Sequence, residues 1–258
     1  MFLSVDIGNT NITLGVFDGD KLIETFRLAS DKDLPLLQYE ILLRTIFKEY
    51  SIEACSIGSV VDELGQLIKK ACDNVFGFES FLLDKKSSID LNLLLKNPDE
   101  VGADRVANAF AVKQKYKLPA IVVDIGTATT FDIVSKNGDF LGGVIMPGLN
   151  LQFKSLGTNT SKLPYLEAGF SEKAIGNSTE SAMLSGIIRG SACAIEGLIH
   201  QCELELGEKA TIIATGSHSS LISEYMIRSF DYVNPSLTPE GLKGLYELNR
   251  VAKLVEKR

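Results

Sequence analysis

The chain has 258 residues, 45% of them hydrophobic and 23% charged, with a formal net charge of -7. Those values suit a globular protein of about two domains, able to bury roughly three quarters of its unfolded surface without disulfide or metal staples. The acidic balance and scattered Lys/Arg argue against a nucleic-acid surface, and apolar runs of strand length argue against a membrane span. Met1-Phe2-Leu3-Ser4-Val5 leads straight into the first motif and leaves no room for a signal peptide. Cys55, Cys72, Cys193 and Cys202 lie among apolar neighbours without Cys-x-x-Cys spacing, so reduced core thiols of a cytoplasmic protein are expected.

In chain order, strands are expected at 2–7, 12–17 and 21–28, joined by short turns into an antiparallel meander. Asp33 opens a helix whose apolar face is Leu36, Leu37, Tyr39, Ile41, Leu42, Ile46 and Phe47. A strand at 54–60, a helix carrying Leu64, Leu67, Ile68, Ala71 and Val75, and a strand at 78–83 come next; residues 84–97 form a polar connection. Asn97 as N-cap, Pro98 in the first turn, and the acids Asp99 and Glu100 predict a helix from 98 to about 116. Strands near 120–124, 130–135 and 140–145 then precede a helix and loop over 149–178. A long helix over 179–206 carries interior Gly186, Gly190 and Gly197. Each costs up to about 1 kcal/mol against Ala, which close helix contact within a lobe or across a dimer would offset. A strand at 210–215, a helix at 218–229, a short strand near 231–233 and a helix at 239–256, capped by Thr238, complete the chain.

One device occurs twice. Val5-Asp6-Ile7-Gly8-Asn9-Thr10-Asn11 ends one apolar strand and Val123-Asp124-Ile125-Gly126-Thr127-Ala128-Thr129 ends another, each followed by a strand and a Gly-Asp hairpin. A single Asp-x-Gly-x-Thr is a common strand-ending turn; two in equivalent settings indicate internal duplication. The residue types suit a phosphate and its cation. Amide and hydroxyl groups donate to phosphate oxygens, Gly permits close approach, and the carboxylate faces the cation. Gly102-Ala103-Asp104-Arg105 is a further candidate. By spacing alone, Asp104 and Arg105 read first as an ion pair on a solvated helix face, and second as a general base beside a cationic fork. The two histidines lack metal-ligand spacing: His200 reads as a partly buried core residue and His218 as a helix start.

Gly142-Gly143-Val144-Ile145-Met146-Pro147-Gly148, Thr160-Ser161-Lys162-Leu163-Pro164, Asn177-Ser178-Thr179 and Thr215-Gly216-Ser217 complete an ordered set of motifs. By that set the chain resembles, over nearly its whole length, the type III pantothenate kinases of the actin, Hsp70 and sugar-kinase superfold. The resemblance implies an α/β fold of two duplicated actin-like (ribonuclease H-like) lobes, 1–117 and 118–258, with a nucleotide cleft between them. It further implies a cytoplasmic homodimer that phosphorylates pantothenate with ATP and magnesium, the first step of coenzyme A synthesis. In that reading Asp104 accepts the substrate proton, and Gly102, Ala103, Asp104, Arg105 and Thr179 hold pantothenate. Asp6, Ile7, Gly8, Asn9, Thr10, Asn11, Ile12 and Thr13 bind ATP, with Asp6 facing the magnesium. Thr127 also meets ATP, while Asp124 takes a monovalent cation, potassium or ammonium. Thr179 has an alternative role, since Ser178 or Thr179 must cap the long helix. Ser217, where the family commonly has a second glycine, and Leu95, where relatives carry a tyrosine, depart from the pattern. Two other functions stay open: a different small-molecule kinase on the same superfold, and a non-catalytic nucleotide-binding regulator.

Overall fold

In the computed structural model, which describes residues 1–255, β1 (Phe2–Ile7) is the centre of a five-stranded sheet. β2 (Asn11–Asp18) pairs with it antiparallel and β3 (Lys21–Ala29) extends the meander to one edge. On its other side β4 (Ala54–Ser59) and the two-residue β5 (Phe81–Leu82) add in parallel. The intervening helices, α1 (Leu36–Ile46) and α2 (Asp62–Phe76), bury Tyr39, Leu43, Leu64, Ile68 and Ala71 in one core with Leu3, Val5, Ile12 and Leu14. Helix α1 starts after Pro35 and not at Asp33, whose N–H instead donates to Asp31 Oδ1 (2.9 Å) in a tight turn. Leu37 and Ile41 remain exposed, so the buried stripe runs through Tyr39, Leu43 and Phe47. The helix expected from Pro98 is broken: Pro98–Glu100 is a single 3-10 turn, Val101 is extended, and α3 (Ala103–Lys115) begins afresh. Asn97 provides no cap, because its amide donates to Glu100 Oε1 (2.9 Å).

The second sheet repeats this plan. β6 (Ala120–Ile125), β7 (Ala128–Val134) and β8 (Phe140–Pro147) form the antiparallel meander, and β9 (Thr211–Thr215) and β10 (Tyr232–Val233) add in parallel beside β6. The duplication read from two short motifs therefore extends to every strand. α4 (Leu149–Asn159) comes after the meander. α5 (Thr179–Leu184), a π-helical turn at Ser185–Arg189 and α6 (Gly190–Leu206) then form one 28-residue helix. By length and composition this helix could cross a membrane, against the expectation that apolar runs were strand-length. Its apolar side is nevertheless used in the core, where Met183, Ile187, Ile188, Ala192, Ile195 and Ile199 pack with Ile121, Val123, Phe131 and Ile212. A Cβ added at Gly186, Gly190 or Gly197 meets nothing within 4 Å, so no close contact among the described residues explains these glycines. α7 (Ser219–Ser223) is far shorter than 218–229. His200 and Cys193 are exposed rather than in the core, whereas Cys55 and Cys72 are buried. Glu203, only 5% exposed, ties the end of α6 to the segments on either side of β9. Burial pushes its carboxyl up, but donation from Arg228 Nη1 (2.8 Å), Lys209 Nζ (2.6 Å) and the Ala210 N–H (3.2 Å) outweighs that and holds it at about 2.

The C-terminal helix, α8 (Leu237–Val255), corrects the expected boundary at 117/118. One compact unit joins Met1–Leu91, Lys96–Gln114 and the segment from Ser236; the other joins Asn92–Leu95 and Lys115–Pro235. The reason is apolar: Leu242 and Leu245 bury against Val106, Ala107 and Phe110 of α3. Thr238 lies inside the helix, donating to Asn108 Oδ1 (2.8 Å), and so does not cap it. Residues 92–95 run beside β8, with Phe140 N–H donating to Asn92 O and Leu94 N–H to Phe140 O (both 2.9 Å). Gly241 is required for the α8 contact, since a Cβ there would overlap the Ala107 carbonyl. Gly241→Val is expected to cost at least about 2 kcal/mol of stability, read as a lower urea midpoint. An unchanged midpoint would contradict this packing.

Candidate active site

β1 and β2 separate at Ile7 and Ile12, leaving the four-residue connection 8–11, which is closed by Gly8 N–H donating to Asn11 O (2.9 Å). Asn9, Thr10 and Asn11 are exposed on it, while Ile7 and Ile12 root it in the core. Its shape is braced from behind: Ser30 Oγ donates to Gly8 O (2.7 Å) and Ser30 N–H to Thr10 O (2.9 Å). Asp6 is half-buried at the strand tip, in register with Thr13 on β2 and Gly58 on β4. Gly58 faces Ala103 (3.4 Å from a built Cβ) and Gly102 faces Val60 (3.0 Å), so the Gly-Ala-Asp-Arg motif packs against the end of β4, the strand beside β1.

Asp104 sits in the first turn of α3, earlier in its helix than expected because the helix from Pro98 is interrupted. Its Oδ1 accepts the Arg105 N–H (2.8 Å) and folds over Gly102, where a Cβ would lie 2.5 Å from it. Burial raises the Asp104 carboxyl above the ordinary carboxylate range, opposed less strongly by the Arg105 N–H and the Arg105 charge. A half-buried carboxylate of raised basicity, with only Gly and Ala before it, is chemically fit to take a proton.

The other unit carries Asp124, Thr127 and Thr179. β6 and β7 separate at Ile125 and Thr129, so this connection is one residue shorter, closed by Gly126 N–H donating to Ala128 O (3.0 Å). Two glycines from that ordered set of motifs, Gly148 and Gly216, enclose it. Gly148 N–H donates to Thr127 O (3.2 Å), and a Cβ there would overlap the Gly126 and Thr127 carbonyls. Gly216 has φ +88°, and its Cβ would overlap Asp124 Oδ1 and lie 2.6 Å from Ile125 N. By contrast, a Cβ at Gly126 comes no nearer than 3.5 Å to any atom. His218, at the start of α7, donates its N–H to Ile125 O (3.1 Å). Ser178, not Thr179, caps the long helix: its Oγ accepts the Ser181 N–H (3.1 Å) and Ser181 Oγ accepts the Ser178 N–H (3.0 Å). Thr179 is thereby left exposed in the first turn.

Among the described residues no three His, Cys, Asp or Glu side chains cluster as a metal cage. Asp6 and Asp124 are single carboxylates at strand tips. A lone strand-tip carboxylate such as Asp6 fits a Mg²⁺ that enters with a triphosphate and completes its shell with phosphate oxygens and water.

Two copies of a mixed five-stranded sheet, each ending its central strand in an acidic hairpin, define an actin-like α/β fold. The fold is shared with a Baf family transcriptional activator from Campylobacter jejuni (TM-score 0.61, 20% identity, 96% of this chain and 98% of that one). It is also shared with the activator of 2-hydroxyisocaproyl-CoA dehydratase from Clostridium difficile, solved with bound ADPNP (TM-score 0.57, 13% identity, 98% and 97% covered). A sequence profile of the type III pantothenate kinases matches residues 2–201. Type III pantothenate kinases from Moorella thermoacetica (38% identical over 256 residues, 96% of this chain and 100% of the relative) and Dehalococcoides mccartyi (37% over 254 residues, 96% of each) are similar almost end to end. The chain belongs to the type III pantothenate kinase family. For the second loop, Gly216→Ala is expected to cost about 3 kcal/mol through positive-φ strain and overlap. Thermal unfolding together with the ATP KM checks this; both unchanged would mean that Asp124 is not walled as described.

Proposed function

We infer that this kinase transfers the γ-phosphate of ATP to the primary hydroxyl of pantothenate, giving 4′-phosphopantothenate and ADP, with Asp104 accepting the hydroxyl proton. The observation that carries the residue assignment is the Asp104 carboxylate: half-buried, raised in basicity, and preceded by Gly102 and Ala103. As the hydroxyl oxygen bonds to phosphorus and the bond to ADP breaks, the proton passes to that carboxylate. Positioning and charge neutralisation supply most of the remaining acceleration.

In this reading residues 6–13 and Thr127 bind ATP, Asp6 lies toward Mg²⁺, and Asp124 takes potassium or ammonium. Cations held there would neutralise triphosphate charge. Gly102, Ala103, Arg105 and Thr179 hold pantothenate, with the Arg105 fork suited to its carboxylate. A homodimer is supported by the open space at Gly186, Gly190 and Gly197, and by exposed Tyr165 (64%), Phe170 (64%) and Ile175 (89%) in the same unit; its cytoplasmic location rests on the family alone.

Asp104→Asn is expected to lower kcat by at least about 100-fold while leaving the ATP KM nearly unchanged. The pH dependence follows from the raised carboxyl. The folded protein holds the Asp104 proton more tightly than the unfolded chain does, so ionisation at higher pH opposes folding. At pH 8 Asp104→Asn should therefore melt no lower than wild type, and the acid limb of wild-type kcat/KM should lie above the ordinary carboxylate range. Wild-type turnover by Asp104→Asn would remove it from this role. For the dimer, Gly190→Leu should yield folded monomer in sedimentation, whereas an intact dimer would exclude this helix from the interface.

A further inference from the structure

The loop from β3 to α1 is fixed at two points. Ser30 is bonded to two carbonyls of the first hairpin, Gly8 O and Thr10 O. Asp31 is pinned to the core: the wholly buried Tyr39 donates its hydroxyl to Asp31 O (2.7 Å) and accepts the Asp31 N–H (3.3 Å). Asp33 N–H closes the turn onto Asp31 Oδ1 (2.9 Å). The backbone of Lys32 is thus held between anchored neighbours. Lys32 and Asn9 line one open pocket of ≈ 350 Å³ with Val60, Val61, Asp62 and Glu63. The two acids sit in the first turn of α2, where the helix dipole favours them. Neither they nor any other described residue forms an ion pair or hydrogen bond with the Lys32 ammonium.

We propose that Lys32 is a further substrate-contacting residue, its ammonium binding phosphate oxygens of ATP, with Ser30 the residue that positions both its loop and the hairpin. The assignment rests on the reading of residues 8–11 as a phosphate loop. An uncommitted ammonium on a flexible four-carbon stem can follow a polyanion into that pocket as a point charge. Its pairing with phosphate is partly screened, so the contact carries a salt signature that a purely structural lysine lacks.

The test is titration calorimetry with ATP and Mg²⁺ plus steady-state kinetics on Lys32→Met, Lys32→Arg and Gly8→Val at two salt concentrations. Lys32→Met is expected to weaken ATP about tenfold or more and to flatten the salt dependence of ATP binding, with the pantothenate KM unchanged. Lys32→Arg should recover most of that loss, and melting temperatures should not move because the side chain is exposed. If Gly8→Val impairs ATP binding while Lys32→Met binds ATP with wild-type affinity and salt dependence, the Lys32 assignment is wrong and the loop reading survives. If Gly8→Val also binds ATP normally, the phosphate-loop reading fails and the Lys32 assignment falls with it.

Discussion

A carboxylate at the tip of a strand that is otherwise buried on both faces is the constraint on which the rest of this structure depends. β1 and β6 lie at the centre of their sheets, so their polar ends are the places where buried strand gives way to a turn. Asp6 and Asp124 occupy those ends half-buried. Ionised groups in such positions are costly unless a cation or donor offsets them, and the neighbouring loops are shaped around them.

The two copies share every strand pairing but are finished differently. The first hairpin is one residue longer and is braced by hydrogen bonds from Ser30; the second is shorter and is walled by Gly148 and Gly216. The C-terminal helix breaks the symmetry further. It comes after the second sheet in sequence, yet its leucines complete the core beside α3, the helix that carries Asp104. The support for the helix that bears that carboxylate therefore comes from Leu242 and Leu245, well over a hundred residues further along the chain.

Much of this was legible in the sequence because the signals were local and periodic. Strand alternation located β1 to β4 and β6 to β9, and the repeated Asp-Ile-Gly motif announced the duplication. The errors arose where tertiary contacts outweighed local preference. Pro98 and the acids after it look like a helix start, but extended Val101 and the packing of Gly102 against Val60 and Asp104 restart the helix at Ala103. Thr238 has the chemistry of a cap and instead bonds to Asn108 across a helix pair. The open glycines of the long helix gave no hint that their neighbouring space would be empty among the described residues. Gly148 and Gly216 were visible as glycines, but their contacts with the second hairpin cross tens of residues or more and leave no mark in local pattern.

Coupled ADP release with and without pantothenate, in potassium and in sodium buffer, tests the central claim most directly. The account predicts that ADP forms only when pantothenate is present, and faster in potassium. ADP release that ignores pantothenate, or none under any of these conditions, would contradict it.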